Sequence, residues 1–434
     1  MKIAIIGAGF GGLAAAFDLS KSKENQIEII DPNEFAGGLA TGYKAKKWNW
    51  TLEEHYHHAF DTDKALKQFL VDLGLRDQLV YKNAKSSTLY KGKILQIDSP
   101  ISLLRFNEIS FFSRLRTGAV LAFLKILPDG ILLERYKASQ FLIKTMGEES
   151  WRVIWEPLFV SKFGRFKDQV NLSWFWARVN PRTKALGYFN GGFKRLAELI
   201  QRKLVKKGVK FLLSTRVEKI TKENEDFVLS IVDKNGKKKI KQYDLVISTL
   251  ASPVFSKLID LPELKRKELI GLGAITMVLR LKKKLLKDGT YWLNVNEKDW
   301  PFVAIVEHDN YISSSHYGGE SLVYLGRYLE TTDEAYQKTT KQLLNDYRPY
   351  LKKIDPLFDQ NLIEAKVFKA PFAQPISFIN QSRFLPGFDT SVKNLYWVCM
   401  QHIYPFDRGI NHAVNSARKL ANHVKMKSSK IYEK

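Results

Sequence analysis

The stretch Met1-Lys-Ile-Ala-Ile-Ile-Gly-Ala-Gly-Phe-Gly-Gly-Leu-Ala-Ala-Ala16 decides the fold of this chain. Its apolar run from Ile3 to Ile6 is typical of a buried parallel strand, and the Ala-rich residues that follow the glycines are typical of a helix. The glycines follow the spacing G-x-G-x-x-G, which allows a tight turn and lets backbone N–H groups approach a pyrophosphate at the helix N-terminus. The predicted dinucleotide-binding positions of this turn are Gly7, Ala8, Gly9, Phe10, Gly11 and Gly12.

A second strand supports this interpretation. Ile27 to Ile30 is largely apolar, and Asp31 follows it about twenty residues after the glycine turn. A carboxylate at that place can accept a hydrogen bond from a ribose hydroxyl, so Asp31 and the adjacent Pro32 are predicted to contact the dinucleotide. The alternative is an ordinary βαβ unit with a glycine turn, in which the position of Asp31 is a coincidence.

Length and cysteine content limit the remaining possibilities. The 434 residues are enough for two domains, and no window reaches the ~18 uninterrupted apolar residues of a membrane-spanning helix. Cys399 is the only cysteine, which excludes an intramolecular disulfide framework and a cysteine metal cluster. The first strand begins at residue 2, so no secretion leader is predicted and a cytoplasmic protein is expected.

The net charge of +24 favours an anionic partner, either acidic phospholipid or an anionic substrate. A lysine-rich, soluble surface explains the same charge without any partner. The basic residues form no recognition helix, zinc finger or RNA-binding signature, so nucleic acid is not predicted as a partner. The oligomeric state stays open.

A glycine doublet, Gly37-Gly38, follows the second strand closely. With the N-terminal motif it resembles the flavin-containing amine oxidase superfamily, which includes protoporphyrinogen oxidase-like and phytoene desaturase-like enzymes. The resemblance implies FAD as cofactor, with its diphosphate against Gly37, Gly38, Leu39 and Ala40. That superfamily usually has Glu at the end of the second strand, where this chain has Asp31.

Two later segments carry the same resemblance. The strand around Val217 resembles the one whose backbone meets the adenine, and the strand ending at Thr249 runs into a small-residue turn beside the cofactor. Near the C-terminus a strand, a turn and a helix over 413–424 resemble the superfamily's last FAD motif. The positions that this motif implies as flavin contacts are Arg408, Gly409, Ile410 and Asn411.

The predicted fold class is α/β, with a discontinuous Rossmann-like FAD-binding domain and a mixed α+β substrate-binding domain. Residues 1–75, 189–267 and 385–425 are assigned to the FAD-binding domain. Residues 76–188 and 268–384 are assigned to the substrate-binding domain, and 426–434 to a basic tail. Within the second domain, 370–375 is expected to be a proline-punctuated loop.

Candidate catalytic residues lie at two places. His57 and His58 belong to a segment rich in aromatics and histidine, which is interpreted as an active-site wall beside the flavin or as a structural loop. A metal site is not predicted, because no cysteine and no clear fourth ligand accompany the histidines. Glu307 and His308 end a predicted strand, and a histidine beside a carboxylate is a candidate general base or, equally, part of a surface turn.

The segment 101–145 mixes apolar clusters with arginine and is expected to be mostly helical. It is either a buried helical layer or a lid. The apolar face of such a lid would lie on the cytoplasmic side of a membrane or admit a hydrophobic substrate. The resemblance implies an FAD-dependent oxidoreductase that takes hydride from a small hydrophobic or anionic substrate, such as a porphyrinogen or an isoprenoid, onto flavin N5. The alternatives are an amine or polyamine oxidase, a UDP-galactopyranose mutase-like enzyme without net redox change, and a non-catalytic flavin-binding protein. The electron acceptor stays open between oxygen, a quinone and another soluble molecule.

Overall fold

The computed structural model describes residues 1–406 and 408–432. Its strands are β1 (Lys2–Ile6), β2 (Gln26–Ile30), β3 (Gly42–Tyr43), β4 (Leu52–Glu53), β5 (Ala59–Phe60), β6 (Leu79–Asn83), β7 (Ser86–Tyr90), β8 (Lys93–Gln96), β9 (Ala185–Phe189), β10 (Lys210–Leu212), β11 (Thr215–Glu223), β12 (Asp226–Asp233), β13 (Lys238–Tyr243), β14 (Leu245–Ser248), β15 (Gly271–Leu281), β16 (Trp292–Val295), β17 (Ala304–Glu307), β18 (Ser321–Leu329), β19 (Leu362–Pro375) and β20 (Leu395–Trp397).

Helices separate some of these strands, and six helices follow one another between β8 and β9. The helices are α1 (Phe10–Leu19), α2 (Lys64–Asp72), α3 (Pro100–Leu104), α4 (Phe111–Ile126), α5 (Ala138–Met146), α6 (Glu148–Ser150), α7 (Glu156–Phe163), α8 (Leu172–Val179), α9 (Phe193–Lys206), α10 (Ser252–Phe255), α11 (Glu334–Gln337), α12 (Thr340–Ile354), α13 (Phe358–Asn361) and α14 (Ile410–Tyr432). A π-helical turn over Trp151–Trp155 joins α6 to α7.

A five-stranded parallel sheet with the order β10-β2-β1-β14-β20 confirms the predicted α/β class. Ile3 and Ile5 of β1 pack on one face against α1, α9 and α14. Ala4 and Ile6 pack on the other face against the antiparallel sheet β11-β12-β13. Coverage on both faces explains why β1 reads as a continuous apolar run rather than as an alternating one.

Strand β1 lies at the centre of this sheet, with β2 on one side and β14 on the other. The order in which successive strands are added to the sheet therefore changes side at β1. In open α/β sheets, ligands bind at the carboxyl ends of the strands next to such a point. The five strands of this sheet come from the segments 1–75, 189–267 and 385–425, as the predicted discontinuous FAD-binding domain requires. The exact domain boundaries remain a prediction.

A second, mostly antiparallel sheet has the order β19-β15-β18-β17-β16-β7-β8, in which β16 pairs with β7 in parallel. The helices α4, α5, α7 and α8 pack against one part of it. The predicted loop over 370–375 is wrong, because β19 continues through it and pairs with β15 as far as Pro375. Proline is tolerated there because β19 is an edge strand, where a missing N–H donor leaves no neighbour unpaired.

The last helix, α14, begins at Ile410 and runs to Tyr432. It starts three residues before the predicted helix, and residues 426–432 continue it instead of forming a separate tail. The remaining two tail residues, 433 and 434, lie outside the described part of the chain. None of the described helices combines the length and the hydropathy needed to cross a bilayer.

Candidate active site

The glycine turn after β1 is closed by the end of β14. Thr249 donates to the carbonyl oxygen of Ile6 from both its backbone N–H and its hydroxyl, each at 2.9 Å. Gly7 has φ +109°, and a Cβ at this position would lie 2.3 Å from Oγ1 of Thr249. A Cβ at Gly12 would lie 2.0 Å from the carbonyl oxygen of Gly7. Both positions therefore require glycine, so that α1 can start directly at the end of β1.

The second glycine pair lies against the first motif. The N–H of Gly37 donates to the carbonyl oxygen of Ala8 at 2.9 Å, and Gly37 forms an isolated parallel bridge with Gly9. Gly38 has φ +58°, and a Cβ on it would lie 3.0 Å from the Cα of Gly9. The short 3-10 turn that contains Leu39 and Ala40 begins here. Two segments predicted separately thus form one cradle of bare backbone at the N-terminus of α1, whose first N–H groups have no partner within the helix.

Asp31 ties the end of β2 to the glycine turn. Its Oδ2 accepts the N–H of Ala8 at 2.7 Å, and its Oδ1 accepts two hydrogen bonds from Asn33. Oδ2 keeps capacity to accept a further hydrogen bond from a ribose hydroxyl. Thr215 donates its N–H to the carbonyl oxygen of Asp31 at 2.9 Å. This contact brings β11, and with it the buried Val217, beside the end of β2. Pro32 is solvent-exposed at the same edge.

The start of α14 closes the cradle from a third side. A Cβ on Gly11 would come 3.8 Å from the carbonyl oxygen of Ala413, so the two helices pack closely here. Oδ1 of Asn411 accepts the N–H of Leu66 at 3.0 Å, which fixes α14 to α2. Gly409 has φ +132°, Ile410 is buried, and the Arg408 guanidinium lies 5.1 Å from the ring centroid of Tyr328.

The histidine segment lies inside the molecule beside Arg408. Nδ1 of His55 contacts the hydroxyl of Thr276 at 2.8 Å, and Nδ1–H of His57 donates to the carbonyl oxygen of His55 at 2.6 Å. Burial, with a smaller contribution from Arg408, lowers the pKa of His57 to about 4, although the hydrogen bond to the His55 carbonyl oxygen acts to raise it. Burial likewise lowers the pKa of His58 to about 3, with smaller contributions from Arg182, His57 and Arg408. These imidazoles are neutral at physiological pH.

The three histidines are only partly exposed. His55, His57 and His58 are all half-buried. Nδ1 of His58 is buried and has no hydrogen-bond partner among the described residues. Within that part of the chain, no three His, Cys, Asp or Glu side chains are grouped as a metal ion would need. The histidine segment therefore lies half-buried beside Arg408, with one ring nitrogen that no described residue hydrogen-bonds.

Glu307 and His308 make different contacts. Oε2 of Glu307 accepts the N–H groups of Leu285 and Leu286, and Oε1 accepts the hydroxyl of Ser321. Burial, and then Asp309, raise the pKa of the Glu307 carboxyl well above its usual range.

Nε2 of His308 contacts the Tyr317 hydroxyl at 2.9 Å, and burial lowers its pKa to about 3. No hydrogen bond of the described residues joins either residue to His57 or His58. Their catalytic role remains a prediction that these contacts do not support.

Aromatic side chains that we did not single out from the sequence pack beside the histidines and form an aromatic wall. Tyr324 and Tyr328 lie on one face of β18, and between them Gly326 leaves room for Tyr56, whose Oη would lie 2.7 Å from a Cβ there. Tyr56 packs edge-on against Trp292, with 5.1 Å between ring centroids. Because side chains alternate along a strand, the spacing Tyr-x-Gly-x-Tyr is the signal that could have revealed this wall.

The family model for flavin containing amine oxidoreductases matches residues 10–425. The chain belongs to this family. The zeta-carotene desaturase of tomato (Solanum lycopersicum) is 25% identical over 180 residues, which are 36% of this chain and 30% of the relative. The match thus spans about a third of the length of that curated relative.

Solved structures of two other proteins share the fold. One is provisionally assigned as a protoporphyrinogen oxidase from Exiguobacterium sp. 255-15, with a TM-score of 0.74, 16% identity and coverage of 98% of this chain and 99% of that one. The other is a reduced UDP-galactopyranose mutase, with a TM-score of 0.73, 15% identity and coverage of 98% and 93%.

Membership of this flavoenzyme family makes FAD the cofactor. The geometry of the cradle fits FAD: the glycine positions 7, 12 and 38 have no room for a Cβ, and their backbone surrounds the N-terminus of α1. The individual contacts predicted for Asp31, Val217, Thr249 and Arg408–Asn411 remain predictions. All of these residues belong to the three chain segments that meet around the glycine turn.

Proposed function

We propose that this enzyme dehydrogenates a hydrophobic substrate of the porphyrinogen or isoprenoid type that it takes from a membrane surface. Bound FAD supplies the hydride acceptor, at flavin N5. The observation that carries the proposal is the apolar face of α4, which is exposed to solvent; Lys125 of this helix donates to the carbonyl oxygen of Asn180, directly after α8. The protein's own residues bind and orient the substrate and exclude water from the reacting bond.

The exposed apolar face runs along the whole of α4. Phe112, Leu115, Phe123 and Ile126 recur at helical spacing, and Phe112 and Ile126 are 77% and 79% exposed. Thr117 and Leu124 are the buried residues of this helix and lie on its opposite side. The helix therefore has its more apolar side towards solvent, the reverse of a helix that only packs onto a core. Ile101 and Leu104 of α3 extend the exposed surface.

Cationic side chains surround this surface. Arg105, Arg116 and Arg135 are exposed around α4, on a chain whose net charge is +24. Each basic residue near an anionic lipid surface contributes about 1 kcal/mol of attraction, and the apolar side chains add their own burial in the lipid interface. The combination fits a peripheral contact with an anionic membrane, and it favours the lid interpretation of segment 101–145.

The aromatic wall of Tyr56, Trp292, Tyr324 and Tyr328 suits an apolar substrate. Tyr56 and Trp292 both keep accessible surface, and Tyr324 and Tyr328 support them from β18. Stacked and edge-on aromatic rings offer a large dispersion surface and few obligatory hydrogen bonds. The Arg408 guanidinium contributes to the lowered pKa of all three histidines, and the Arg182 guanidinium contributes to the lowered pKa of His58. Such groups repel the cation of a polyamine, so an amine substrate is the weaker alternative.

In this proposal His57 and His58 are positioning residues of the wall. The bond from His57 to the carbonyl oxygen of His55 holds its ring, and the pKa of about 4 means that it carries no charge for substrate attack near neutral pH. Because these imidazoles are neutral, we expect the cofactor cradle and the N-terminus of α14 to stabilise the charge that develops in the reaction.

Product analysis separates the alternatives. The holoenzyme is incubated in air with protoporphyrinogen or a carotenoid precursor, each presented in anionic vesicles, and the products are analysed by mass spectrometry. Each oxidation removes two hydrogen atoms, so the proposal predicts a product that lacks one or more pairs of the substrate's hydrogen atoms and forms faster than in the same incubation without enzyme. A mutase-like enzyme would convert UDP-galactopyranose into an isomer of equal mass, and an amine oxidase would deaminate spermidine. Either of these outcomes, with the hydrophobic substrates unchanged, would overturn the proposal.

A further inference from the structure

We infer that Tyr404 is a positioning residue for the flavin end of the cofactor site, and that its hydroxyl couples the lid to that site. The lid is segment 101–145, and the contact is a hydrogen bond from Tyr404 to Glu134. The inference rests on the proposed function, because it concerns how the lid acts on the site of that reaction. Tyr404 is not a catalytic residue; it acts through the residues that follow it in the chain.

Residues 127–137 connect α4 to α5, and we call them the lid loop. Leu132 and Tyr136 of this loop are 68% and 45% exposed, so the loop shares the exposed apolar character of α4. Glu134 lies between them in sequence but is buried. Its Oε1 accepts the Ser382 hydroxyl at 2.5 Å, and its Oε2 accepts the Ser382 N–H at 2.9 Å and the Tyr404 hydroxyl at 3.1 Å. A buried carboxylate thus ties the lid loop to two segments that are far from it in sequence.

The Tyr404 hydroxyl has a second partner at the start of α8. Nδ2 of Asn171 donates to this hydroxyl at 2.8 Å and to the carbonyl oxygen of Phe378 at 2.5 Å. Oδ1 of the same asparagine accepts the N–H of Trp174 at 3.1 Å and caps α8. Asn171 is fully buried. Because the Tyr404 hydroxyl both donates and accepts, it is fixed from two sides, by the lid loop and by the start of α8.

The chain after Tyr404 leads directly to the predicted flavin contacts. The Phe406 ring stacks on the His412 ring, with 3.9 Å between the ring centroids and 13° between the ring planes. His412 belongs to the first turn of α14. The predicted flavin contacts, residues 408–411, lie between these two stacked residues in the chain, and Tyr404 anchors the approach to them two residues earlier.

This arrangement links the lid to the electrostatics of the flavin site. The N-terminus of α14 and the Arg408 guanidinium are positive, so we expect them to favour the reduced flavin, which gains negative charge. Such groups are effective only when their positions are fixed in advance. Without its hydroxyl, Tyr404 loses the bonds to Glu134 and Asn171, and the bound flavin should become harder to reduce. A displacement of the lid loop on a membrane would act through the same bond to Glu134.

The test measures the midpoint potential of the flavin in purified holoenzyme, from its absorbance in equilibrium with a reference dye, without vesicles or substrate. Tyr404→Phe removes the hydroxyl and keeps the ring. We expect flavin reduction to become about tenfold less favourable, which lowers the potential of a two-electron couple by about 30 mV. Tyr136→Phe is the matched control, because it removes the hydroxyl of the exposed tyrosine in the lid loop and should leave the potential unchanged. An unchanged potential in Tyr404→Phe would overturn the inference.

Variants of the same cluster separate positioning from stability. Ser382→Ala removes one hydrogen bond to Glu134 but keeps both bonds of the Tyr404 hydroxyl, so the potential should stay at the wild-type value. Glu134→Ala should lower the potential, and Glu134→Gln should restore it, because the amide oxygen can accept the Tyr404 hydroxyl. A shift in Ser382→Ala as large as that in Tyr404→Phe would show a merely structural role and overturn the inference. No shift in Glu134→Ala would reject the coupling to the lid.

FAD content and thermal unfolding establish whether Tyr404→Phe is loaded and folded. If it is not, the comparison of Glu134→Ala with Glu134→Gln decides the question. Because no substrate is used, a failure of the proposed oxidation leaves this result intact. Conversely, oxidation of protoporphyrinogen by a wild type whose flavin potential equals that of Tyr404→Phe supports the proposed function and rejects the inference.

Discussion

Gly38 lies against Gly9 so closely that a Cβ on Gly38 would stand 3.0 Å from the Cα of Gly9. The contact joins the segment after β2 to the turn after β1, and no flexible side chain lies between them. The atoms around this contact are backbone atoms. They cannot move aside without separating the two glycine segments of the cradle.

We expect Gly38→Ala to reduce FAD content strongly while the apoprotein stays folded. The added methyl strains a residue at φ +58° by about 1–2 kcal/mol and separates the two glycine segments. Gly208→Ala is the matched control, because Gly208 has φ +88° but a Cβ added to it would meet no atom within 4 Å. FAD content after gel filtration and unfolding in urea are measured for both. Full FAD content in Gly38→Ala would show that the doublet does not shape the cofactor site.

A double substitution on the exposed face of α4 tests the membrane contact. Phe112→Ser with Ile126→Ser should weaken co-sedimentation with anionic vesicles at least tenfold, because it removes the two most exposed apolar side chains of the helix. Binding of the wild type should also fall as salt is raised. The control is Ile240→Ser on β13, which removes an apolar side chain of 74% exposure far from this face in sequence. Equal binding of all three proteins, or no binding of wild type at low salt, would contradict the proposed surface.

The buried carboxyl of Glu53 gives a pH-dependent prediction. It accepts hydrogen bonds from the Tyr188 hydroxyl and the Phe193 N–H, and burial raises its pKa to about 7. Between pH 4.5 and 7 the folded protein therefore holds a proton that the unfolded chain has lost, so this group makes the free energy of unfolding decrease as pH rises. For a pKa raised from its ordinary value of 4.5 to about 7, the decrease amounts to about 3 kcal/mol.

Glu53→Gln removes this titration while it keeps an acceptor for Phe193. Relative to the variant, wild type should lose about 3 kcal/mol of unfolding free energy between about pH 4 and pH 8, measured in urea at each pH. A constant difference between the two proteins over that range would show that Glu53 is ionised in the fold at all these pH values.

Features that depend on neighbouring residues could be predicted from the sequence better than features that depend on residues far apart in the chain. The strand, turn and helix at Ile3–Ala16 could be predicted because their apolar run and glycine spacing are local, and Gly37-Gly38 follows at short range. The parallel pairing of β16 with β7 could not, since it joins segments far apart in the chain through no shared motif. The same holds for Tyr56, which lies against Gly326 of β18 only after the chain has folded.

The orientation of α4 could be predicted from the sequence only in part. The recurrence of Phe112, Leu115 and Phe123 is visible in the sequence, but the same periodicity describes a helix packed on a core and a helix facing a membrane. Only the position of Thr117 and Leu124 against neighbouring helices decides the orientation. Similarly, Glu307 and His308 form a plausible catalytic pair in sequence, whereas their hydrogen bonds go to the 285–286 backbone, Ser321 and Tyr317.

The central claim, oxidation of a hydrophobic substrate by a flavoenzyme, is tested most directly by anaerobic stopped-flow absorbance. Oxidised holoenzyme is mixed with protoporphyrinogen or a carotenoid precursor in anionic vesicles, and the visible band of the oxidised flavin is followed. Our account predicts that the band bleaches in a phase whose rate depends on substrate concentration, and that it returns when an electron acceptor is admitted. A band that stays unchanged with both hydrophobic substrates, while spermidine bleaches it or UDP-galactopyranose is isomerised, would contradict the account.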